Sequence, residues 1–496
     1  THREFRTSTL FRERMTRVAQ DCTPILVLVE NLEAWRATMV DADIDVPVVA
    51  LDSLDLRAGD GTALRFVHRA PNTPAVIQYT SGSTGQPRGV VLTHENIAAN
   101  IRAIGITTRV GPSDRFVSWL PLHHDMGLIG GLLFPLFWHI PTHIMSPMAF
   151  LLRPITWLRA MQTLAGTMSV APTFAYSLCC NKIPDAQLVG LDLSRWRLAF
   201  CGAEPVDAHV VRRFIERFGP HGFDAAAFYP VYGLAEATLA AAFPSPGELP
   251  HIDTVDRAVL AGEGVARRTE EGSAHAAPFV SVGRAVADHG VTIEDPQSCE
   301  PCAERRVGEI VVRGASISPR YYHEPESEAR GALRTGDLGY VAEGRLFVID
   351  RIRDLVIVRG QNFAPGDLER CAAETAGVRR GRVAAFSLSG AEGTEELYFV
   401  AELDARSWRR QSAIAGDLER RVLATFGLRT AATVLVAPGT LPRTTSGKIR
   451  RRACRDAFHR GDYETRLSWP RRARVKVTPL LNRLAAVGLV LSGRVR

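Results

Sequence analysis

The loop Tyr79 to Gly89 has the composition of a phosphate-binding segment. It reads Tyr-Thr-Ser-Gly-Ser-Thr-Gly-Gln-Pro-Arg-Gly and directly follows the apolar run Pro74 to Ile77. Its glycines permit positive φ angles and close approach of the backbone to a ligand, and its hydroxyls can donate to phosphoryl oxygens. The spacing is not that of a Walker A loop. A Gly/Ser-rich stretch alone is often a flexible turn, but the preceding strand and Pro87 predict an ordered cradle.

A lysine near the C-terminal end is the second candidate. Lys448 lies in the segment Leu441 to Arg450, Leu-Pro-Arg-Thr-Thr-Ser-Gly-Lys-Ile-Arg. Only three of the 60 basic residues are lysines, Lys182, Lys448 and Lys476. A compact ammonium fits between a carboxylate and a phosphate, whereas a guanidinium is a wide planar fork. An isolated loop lysine would be an ordinary exposed residue, but beside the other motifs Lys448 is predicted to act in catalysis.

Two further segments fit a nucleotide and a divalent cation. Tyr229 to Thr238 places aromatic rings next to Glu236, which suits base stacking and ligation of a hard cation. Leu333 to Gly339 places Asp337 on a turn, where it can accept hydrogen bonds from ribose hydroxyls. Each segment alone is also explained by a buried tyrosine, a solvated glutamate or a structural turn aspartate. Their combination predicts a nucleotide site.

The elements that must hold these segments alternate along the chain. Short apolar runs, at 24 to 29, 48 to 51 and 75 to 79, alternate with helical patterns, which predicts an α/β architecture with largely parallel sheets. Shorter strands between about 280 and 350 predict an antiparallel or barrel-like part. After Asp354 the pattern predicts a small α+β unit of roughly 100 residues, with helices over 365–376 and 412–425.

Three segments interrupt this alternation. The uncharged run Met126 to Leu152 has the length of a membrane span, but its prolines, glycines and histidines favour a buried helix followed by a strand. The segment 250 to 278 has weak periodicity and is predicted to be an insertion without regular structure, either disordered or a functional lid. The tail beyond Pro470 is basic and then apolar, which predicts a docked or frayed terminus or an amphipathic surface helix.

Composition excludes several classes of protein. With 496 residues, 46% hydrophobic and 23% charged, the chain is an ordinary globular protein of two to four units. Its net charge of +7 suits anionic ligands. Apart from the C-terminal end the basic residues are spread along the chain, so nucleic-acid binding is not predicted. Eight sparse cysteines and no secretory signal indicate the cytoplasm. Cys299 and Cys302 form a lone Cys-x-x-Cys, which we interpret as a surface loop rather than a zinc or redox site.

In their order and spacing these segments resemble the motifs of the adenylate-forming superfamily, which includes acyl-CoA synthetases, nonribosomal peptide adenylation domains and luciferases. The match runs from about residue 24 to 460. It implies a large N-terminal domain over 1–350, a small mobile α+β domain over 351–460 and a tail over 461–496. The part before the phosphate loop is short for this family, so we expect the chain to lack its first portion.

The resemblance also implies roles for individual residues and the use of ATP with Mg²⁺. The phosphate cradle would comprise Thr80, Ser81, Gly82, Ser83, Thr84 and Gly85. The nucleotide would further contact Gly202, Ala203, Glu204, Tyr232, Gly233, Asp337 and Arg351. Thr84 and Glu236 would hold Mg²⁺, Lys448 would contact the carboxylate and the α-phosphate, and His124 would complete the catalytic set. Arg353 would be the pivot of the small domain, within a hinge motif where many members carry Gly in place of Asp350.

The segments Trp119 to Gly130 and Ala171 to Tyr176 resemble signatures of one branch, the fatty acyl-AMP ligases. In that branch an extra segment, here 250 to 278, hampers the rearrangement needed for CoA thioesterification. The resemblance implies a fatty acid substrate and transfer of the acyl group to the phosphopantetheine thiol of an acyl carrier protein. An acyl-CoA synthetase is the nearest alternative, and a noncatalytic adenylate-binding protein is an alternative from another class. The apolar stretch 126 to 152 lines an aliphatic tunnel in this interpretation, or is plain core.

Overall fold

The computed structural model describes residues 9–29, 31–39, 46–54, 67–80, 88–273, 275–326, 331–358, 361–389, 395–443 and 449–465. The predicted cradle residues Ser81, Gly82, Ser83, Thr84 and Gly85 lie outside these ranges, as do Lys448 and the tail from residue 466.

The chain begins with helices and two strand pairs that lead up to the phosphate loop. The elements are α1 (Thr9–Cys22), β1 (Val27–Val29), α2 (Leu32–Thr38), β2 (Val48–Ala50), β3 (Pro74–Thr80), β4 (Arg88–Thr93) and α3 (His94–Thr108). Strands β1 and β2 are parallel, whereas β3 and β4 are antiparallel and pair Thr80 with Arg88. Thr93 and Asn96 form a reciprocal capping box at the start of α3. This cap fixes the turn from β4 into the helix.

A five-stranded parallel sheet follows, in the order β6-β5-β7-β8-β9. Its elements are β5 (Phe116–Ser118), a π-helix (Met126–Leu133), α4 (Phe134–Phe137), β6 (Thr142–Ile144), α5 (Pro147–Leu152), α6 (Ile155–Thr163), β7 (Met168–Pro172), α7 (Thr173–Lys182), β8 (Leu198–Gly202), α8 (Ala208–Phe218) and β9 (Phe228–Pro230). Every residue of β7 and β8 is buried, as expected of a parallel sheet covered on both faces. The carboxyl ends of the strands share one edge, where open α/β sheets bind ligands.

Aromatic side chains fill the core between this sheet and its helices. The rings of Trp157 and Trp196 meet edge to face at 5.1 Å, and Tyr176 packs against both Trp157 and Phe214. The indole of Trp157 donates to Ser169 Oγ at 2.8 Å, and that of Trp196 donates to the Leu198 carbonyl at 3.0 Å. Both buried N–H groups are therefore satisfied, and the core holds the strand ends in place.

The antiparallel part predicted near 280 to 350 is present. Its elements are β10 (Tyr232–Gly233), β11 (Ala240–Phe243), β12 (Ile252–Asp256), α9 (Arg257–Glu263), β13 (Ala276–Val280), β14 (Arg284–Ala285), β15 (Gly290–Glu294), β16 (Gly308–Arg313), β17 (Ala332–Ala342) and β18 (Arg345–Arg351). Strands β15 to β18 form a four-stranded antiparallel sheet, and β10, β11 and β14 form a smaller one. Cys299 and Cys302 lie on the connection between β15 and β16, and Cys299 is exposed, as expected of a surface loop.

The prediction that segment 250 to 278 lacks regular structure was wrong. Strands β12 and β13 pair over five residues, from Ile252 opposite Val280 to Asp256 opposite Ala276, with α9 between them. Asp256 caps α9 by accepting hydrogen bonds from the Ala258 and Val259 amides. The sequence pattern did not reveal these strands because polar residues interrupt it. Each strand is instead stabilised by its pairing with the other, on the far side of α9.

The C-terminal part forms a three-stranded sheet with helices on it. Its elements are β19 (Val356–Val358), β20 (Gln361–Phe363), α10 (Pro365–Ala373), β21 (Val378–Ser389), β22 (Glu395–Leu403), α11 (Gln411–Phe426), β23 (Thr430–Val436), α12 (Arg451–His459) and α13 (Asp462–Thr465). Leu368, Phe399 and Leu418 belong to a hydrophobic cluster formed largely within this part. The α/β class is confirmed, with a small α+β part at the C-terminal end. The domain boundary at residue 350 stays a prediction.

The uncharged run from Met126 to Leu152 forms the π-helix, α4, β6 and α5. Pro147 occupies the first turn of α5, where its missing N–H has no helical partner to lose. Within the described ranges, no helix is both long enough and apolar enough to cross a bilayer. The expected helix followed by a strand is therefore present here, with a further short helix after it.

Asn100 on α3 joins the parallel sheet region to the turn after Glu236. Its fully buried side chain donates to the carbonyls of Ala237 and Ala240 and accepts from the Ala240 amide. We predict that Asn100→Ala lowers the free energy of unfolding by about 3 kcal/mol, because it leaves buried backbone groups without partners. Urea unfolding followed by tryptophan fluorescence measures this. Asn181→Ala, at an exposed position, should change it by less than about 0.5 kcal/mol; equal effects would contradict the prediction.

Candidate functional site

A cavity of about 690 Å³ lies at the carboxyl edge of the parallel sheet, where it meets the antiparallel part. Its wall includes residues from β3, from the loop after β5, from β10 and the turn after it, and from the end of β18. These segments are far apart in sequence. Among the predicted site residues, the cavity is lined by Thr80, His124, Ala203, Tyr232, Gly233, Glu236 and Arg351.

Asp337 forms a polar corner at this cavity with two of the predicted residues. Tyr232 donates its hydroxyl to Asp337 Oδ2 at 2.7 Å, and Arg351 Nε donates to Oδ1 at 3.2 Å. Asp337 on β17 and Arg351 on β18 are directly opposite in the antiparallel register, which explains their contact. Burial and the neighbouring carboxylate raise the pKa of Tyr232 well above its ordinary value, so the phenol remains a donor. Asp337 itself lies just behind the cavity lining.

The turn before Asp337 is held by residues that the sequence reasoning missed. Glu309 accepts a hydrogen bond from the Gly336 amide at 2.9 Å and pairs with Arg334 at 2.6 Å. Thr335 Oγ1 accepts from the Asp337 amide and donates to the Ile310 carbonyl. No local pattern marks Glu309, because its role depends on the pairing of β16 with β17. These bonds fix the direction in which the turn faces the cavity.

Glu236 lines the cavity on the short turn after β10. Tyr321 donates its hydroxyl to Glu236 Oε1 at 2.8 Å, and the guanidinium of Arg88 stacks 3.4 Å from the centroid of the Tyr321 ring. Burial, reinforced by Glu236, raises the pKa of Tyr321, so its hydroxyl stays protonated. Tyr321 is a second positioning residue that the sequence reasoning missed. Arg88 also pairs with Glu324 at 2.7 Å, which joins this cluster to the strand that follows the phosphate loop.

The residues fit a Mg²⁺ ion that takes most of its ligands from phosphates and water. Glu236 offers a carboxylate at the cavity wall, and the residues described contain no group of three or more His, Cys, Asp or Glu side chains that could form a protein cage. Mg²⁺ is commonly bound in this way, by one or two carboxylates plus substrate phosphates. The other predicted ligand, Thr84, lies outside the described residues.

The segment Gly202 to Pro205 leaves the end of β8 at the edge of the cavity. Ala203 has a φ of +69° and lines the cavity. A Cβ on Gly202 would lie 2.8 Å from the Val231 carbonyl oxygen, so only glycine fits there. Glu204 accepts a hydrogen bond from the Phe174 amide at 2.7 Å, at the start of α7. Gly202 and Glu204 are therefore close to the cavity without being part of its lining, since each packs against a neighbouring element.

His123 and His124 lie side by side on the loop after β5, with ring centroids 4.5 Å apart. Both line the cavity, and Gln78 at the end of β3 donates to the His123 carbonyl at 3.0 Å. Leu128 donates its amide to the His124 carbonyl at 2.8 Å, which ties the loop to the π-helix. The histidines thus line the cavity just before the helix that begins at Met126.

The other end of the cavity is apolar. It is lined by side chains from α3, from β5 and the loop after it, from the π-helix and α4, and from β11, among them Ile104, Phe116, Trp119, Phe134 and Phe243. Gly130 of the π-helix also lines it, and a Cβ built there would lie 3.0 Å from Leu239 Cδ2, which belongs to the same lining. A larger side chain at residue 130 would therefore have to displace Leu239 or project into the cavity. Within and just after the segment Ala171 to Tyr176, Phe174 lines the cavity, Tyr176 is part of the core and Leu178 packs against the core.

Comparison with known proteins identifies the family. The AMP-binding enzyme model matches residues 7–322. A Mycobacterium leprae protein named as a fatty-acid–CoA ligase, fadD21, is 35% identical over 91% of this chain and 82% of its own length. The long-chain-fatty-acid–AMP ligase FadD28 of Mycobacterium tuberculosis is 34% identical over 91% of this chain and 82% of its own length.

The fold agrees with this assignment. A solved structure from work on fatty acyl-adenylate ligases of E. coli and L. pneumophila superimposes with a TM-score of 0.83. It is 33% identical and covers 92% of this chain and 82% of its own. The resemblance predicted from the motifs is confirmed, and the chain belongs to the AMP-binding family of adenylate-forming, ATP-dependent ligases.

Proposed function

We propose that this protein is a fatty acyl-AMP ligase, which joins a fatty acid to the AMP moiety of ATP and releases pyrophosphate. The observation that carries the proposal is the continuity of one cavity from the polar corner at Tyr232 and Arg351 to the apolar end around Phe116 and Phe134. A polar part suits a nucleotide, and a connected apolar part suits an uncharged aliphatic chain. We place the meeting of the carboxylate and the α-phosphate near His124, which lines the same cavity.

In the proposed first step, a carboxylate oxygen attacks the α-phosphorus in line. A new O–P bond forms while the bond to the β-phosphate oxygen breaks, and pyrophosphate leaves with the electron pair. Tyr232, Asp337 and Arg351 would orient the sugar of the nucleotide, and Lys448 would neutralise charge on the carboxylate and the α-phosphate. Mg²⁺, held by Glu236 and Thr84, would supply electrostatic stabilisation of the phosphate oxygens. Thr80, which ends β3 on the cavity wall, would lead into the phosphate cradle Ser81 to Gly85.

In the proposed second step, the phosphopantetheine thiol of an acyl carrier protein attacks the acyl carbon. A C–S bond forms, the C–O bond to the phosphate breaks, AMP leaves and the thiol proton passes to solvent. The part beyond the pivot at Arg353 would first reorient to withdraw Lys448. All eight cysteines of the chain are free thiols, which supports the proposal that the protein works in the reducing cytoplasm.

An acyl-CoA synthetase is the second candidate, and one relative carries that name. The segment 250 to 278 supports the carrier-protein route, because it contacts the part that would have to move. Arg257 of α9 makes a two-pronged ion pair with the buried Asp367 of α10, and its guanidinium lies 4.6 Å from the Phe426 ring centroid on α11. These contacts hold the C-terminal part in one orientation. A noncatalytic adenylate-binding protein is disfavoured by Glu236 and Asp337, which keep the side chains that the reaction needs.

Lys448→Ala should lower the rate of acyl-adenylate formation by about 10³-fold or more, because it removes the charge that we propose neutralises the carboxylate and the α-phosphate. ATP binding should remain measurable by calorimetry, since the other nucleotide contacts are intact. Lys182→Ala, at an exposed position on α7, is the matched control and should retain normal turnover. Near-normal pyrophosphate release by the Lys448 variant would show that this lysine was assigned wrongly.

Gly130→Leu should restrict the enzyme to shorter acids, because the new side chain would have to displace Leu239 or project into the cavity that both residues line. We expect kcat/KM for dodecanoate to fall by at least about 30-fold, while that for butanoate changes by less than about 3-fold. Leu136→Phe, at an exposed position just beyond the π-helix, is the control. An equal loss for both acids would mean that Gly130 does not border the acyl passage.

Arg257→Ala should increase thioester formation with CoA by about 10-fold, since it removes a contact that holds the C-terminal part in place. Acyl-adenylate formation should change by less than about 3-fold. Asp367 keeps Arg370 as a partner at 3.0 Å, so the variant leaves no isolated buried charge. Arg267→Ala serves as control because it removes only an exposed pair with Glu263. No gain with CoA would argue against this role of the segment 250 to 278.

A further inference from the structure

Arg451, the first residue of α12, is the centre of a mostly buried cluster of charges. Its guanidinium donates to both carboxylate oxygens of Glu369, at 2.6 and 2.8 Å, and to Asp350 Oδ1 at 3.3 Å. Asp354 lies 3.5 Å away. The carboxylates come from three separate places, α10, the end of β18 and the turn that follows it. One side chain thus ties α12 to all three.

Asp350 has further partners that make its position rigid. It is 6% exposed and accepts hydrogen bonds from the amides of Arg351 and Gly366, at 2.8 and 3.1 Å. In the sequence, the predicted pivot Arg353 lies after Asp350 and before residues 366 and 451, so contacts of Asp350 with those residues cross the pivot. Contacts that join the two sides of a pivot exist in one orientation of the parts only. The bonds from Asp350 to Gly366 and to Arg451 are therefore specific to the orientation seen here.

The backbone just before Arg451 is fixed to the same unit. Arg443 and Ile449 form an antiparallel bridge, and the Arg450 amide donates to the Pro442 carbonyl at 2.9 Å. The Leu441 amide donates to the fully buried Glu402 at 3.1 Å. The residues on either side of the segment 444 to 448 are thus paired with each other, and we call these flanking residues the neck of the motif. Arg451 follows Lys448 by three residues and connects this paired neck to Asp350.

We propose that Arg451 is a positioning residue for adenylate formation, which acts through Lys448 by fixing the neck of its motif to Asp350 and Glu369. The inference rests on the proposed function, because Lys448 has a role only in a reaction at the carboxylate and the α-phosphate. A ligand-contacting residue would change substrate binding. A residue that places another should instead lower turnover in the first step and leave the second step alone.

The test measures each step separately in Arg451→Gln, Lys448→Ala and the double variant. With dodecanoate and ATP under single-turnover conditions, Arg451→Gln should lower the rate of acyl-adenylate formation by about 30- to 100-fold, with the KM for ATP within about threefold. The rate at which Arg451→Gln transfers the acyl group from chemically prepared dodecanoyl-AMP to the thiol of N-acetylcysteamine should fall by less than about threefold. The double variant should be no slower than Lys448→Ala, because a residue that acts through Lys448 has no effect once it is gone.

Three results would overturn the proposal: a normal rate for Arg451→Gln, an equal loss in both steps, or a double variant slowed by the product of the single effects. Arg455→Gln, one turn further along α12 and with 42% of its side chain exposed, is the matched control. Arg451→Lys should recover part of the rate, since it retains the charge. If Arg451→Gln does not fold, Glu369→Gln tests the same cluster with Arg451 still paired to Asp350. Failure of the wild-type protein to form dodecanoyl-AMP would instead contradict the proposed function.

Discussion

The carboxylate of Asp337 is almost wholly removed from water, and a buried charge of this kind is stable only when partners surround it. Tyr232 approaches it from the region next to the parallel sheet, and Arg351 approaches it from the strand that leads to the pivot. Satisfying this one group therefore requires three parts of the chain to meet. These contacts with Asp337 fix the relative positions of the cavity wall, the turn at Gly336 and the end of β18.

The same geometry explains how one cavity can be polar at one end and apolar at the other. Parallel strands deliver their following loops to a common edge, and the histidine loop and the Ala203 segment both lie there. The π-helix after the histidines then carries its apolar side chains away from the polar corner. Gly130 lets that helix pack closely against Leu239, where a larger side chain would have to displace Leu239 or enter the cavity. The chemistry of the cavity thus changes along the path that the chain takes through it.

Arginine carries out most of the charge pairing that holds the parts together. Arg257 and Arg451 each reach carboxylates on another element, and Arg370 reaches Asp207, just before α8, at 3.9 Å; each pair or cluster is at least partly withdrawn from solvent. A guanidinium can bind two carboxylate oxygens at once, which an ammonium cannot do in the same planar geometry. This suits a chain with three lysines among 60 basic residues. A few charged groups make contacts across the pivot, so the orientation of the C-terminal part depends on them.

The sequence by itself determined the α/β class and the family, and it predicted several of the segments that line the cavity, because short motifs and strand-helix alternation are local signals. It also predicted the two main helices of the C-terminal part, whose apolar periodicity is strong. It was wrong about 250 to 278, where β12 and β13 pair with each other on either side of α9, a pairing that no local pattern marks. Only the tertiary structure decided that Tyr321 holds Glu236, that Glu309 shapes the turn before Asp337, and that Arg451 gathers three carboxylates. Those contacts join residues far apart in sequence, so no local pattern encodes them.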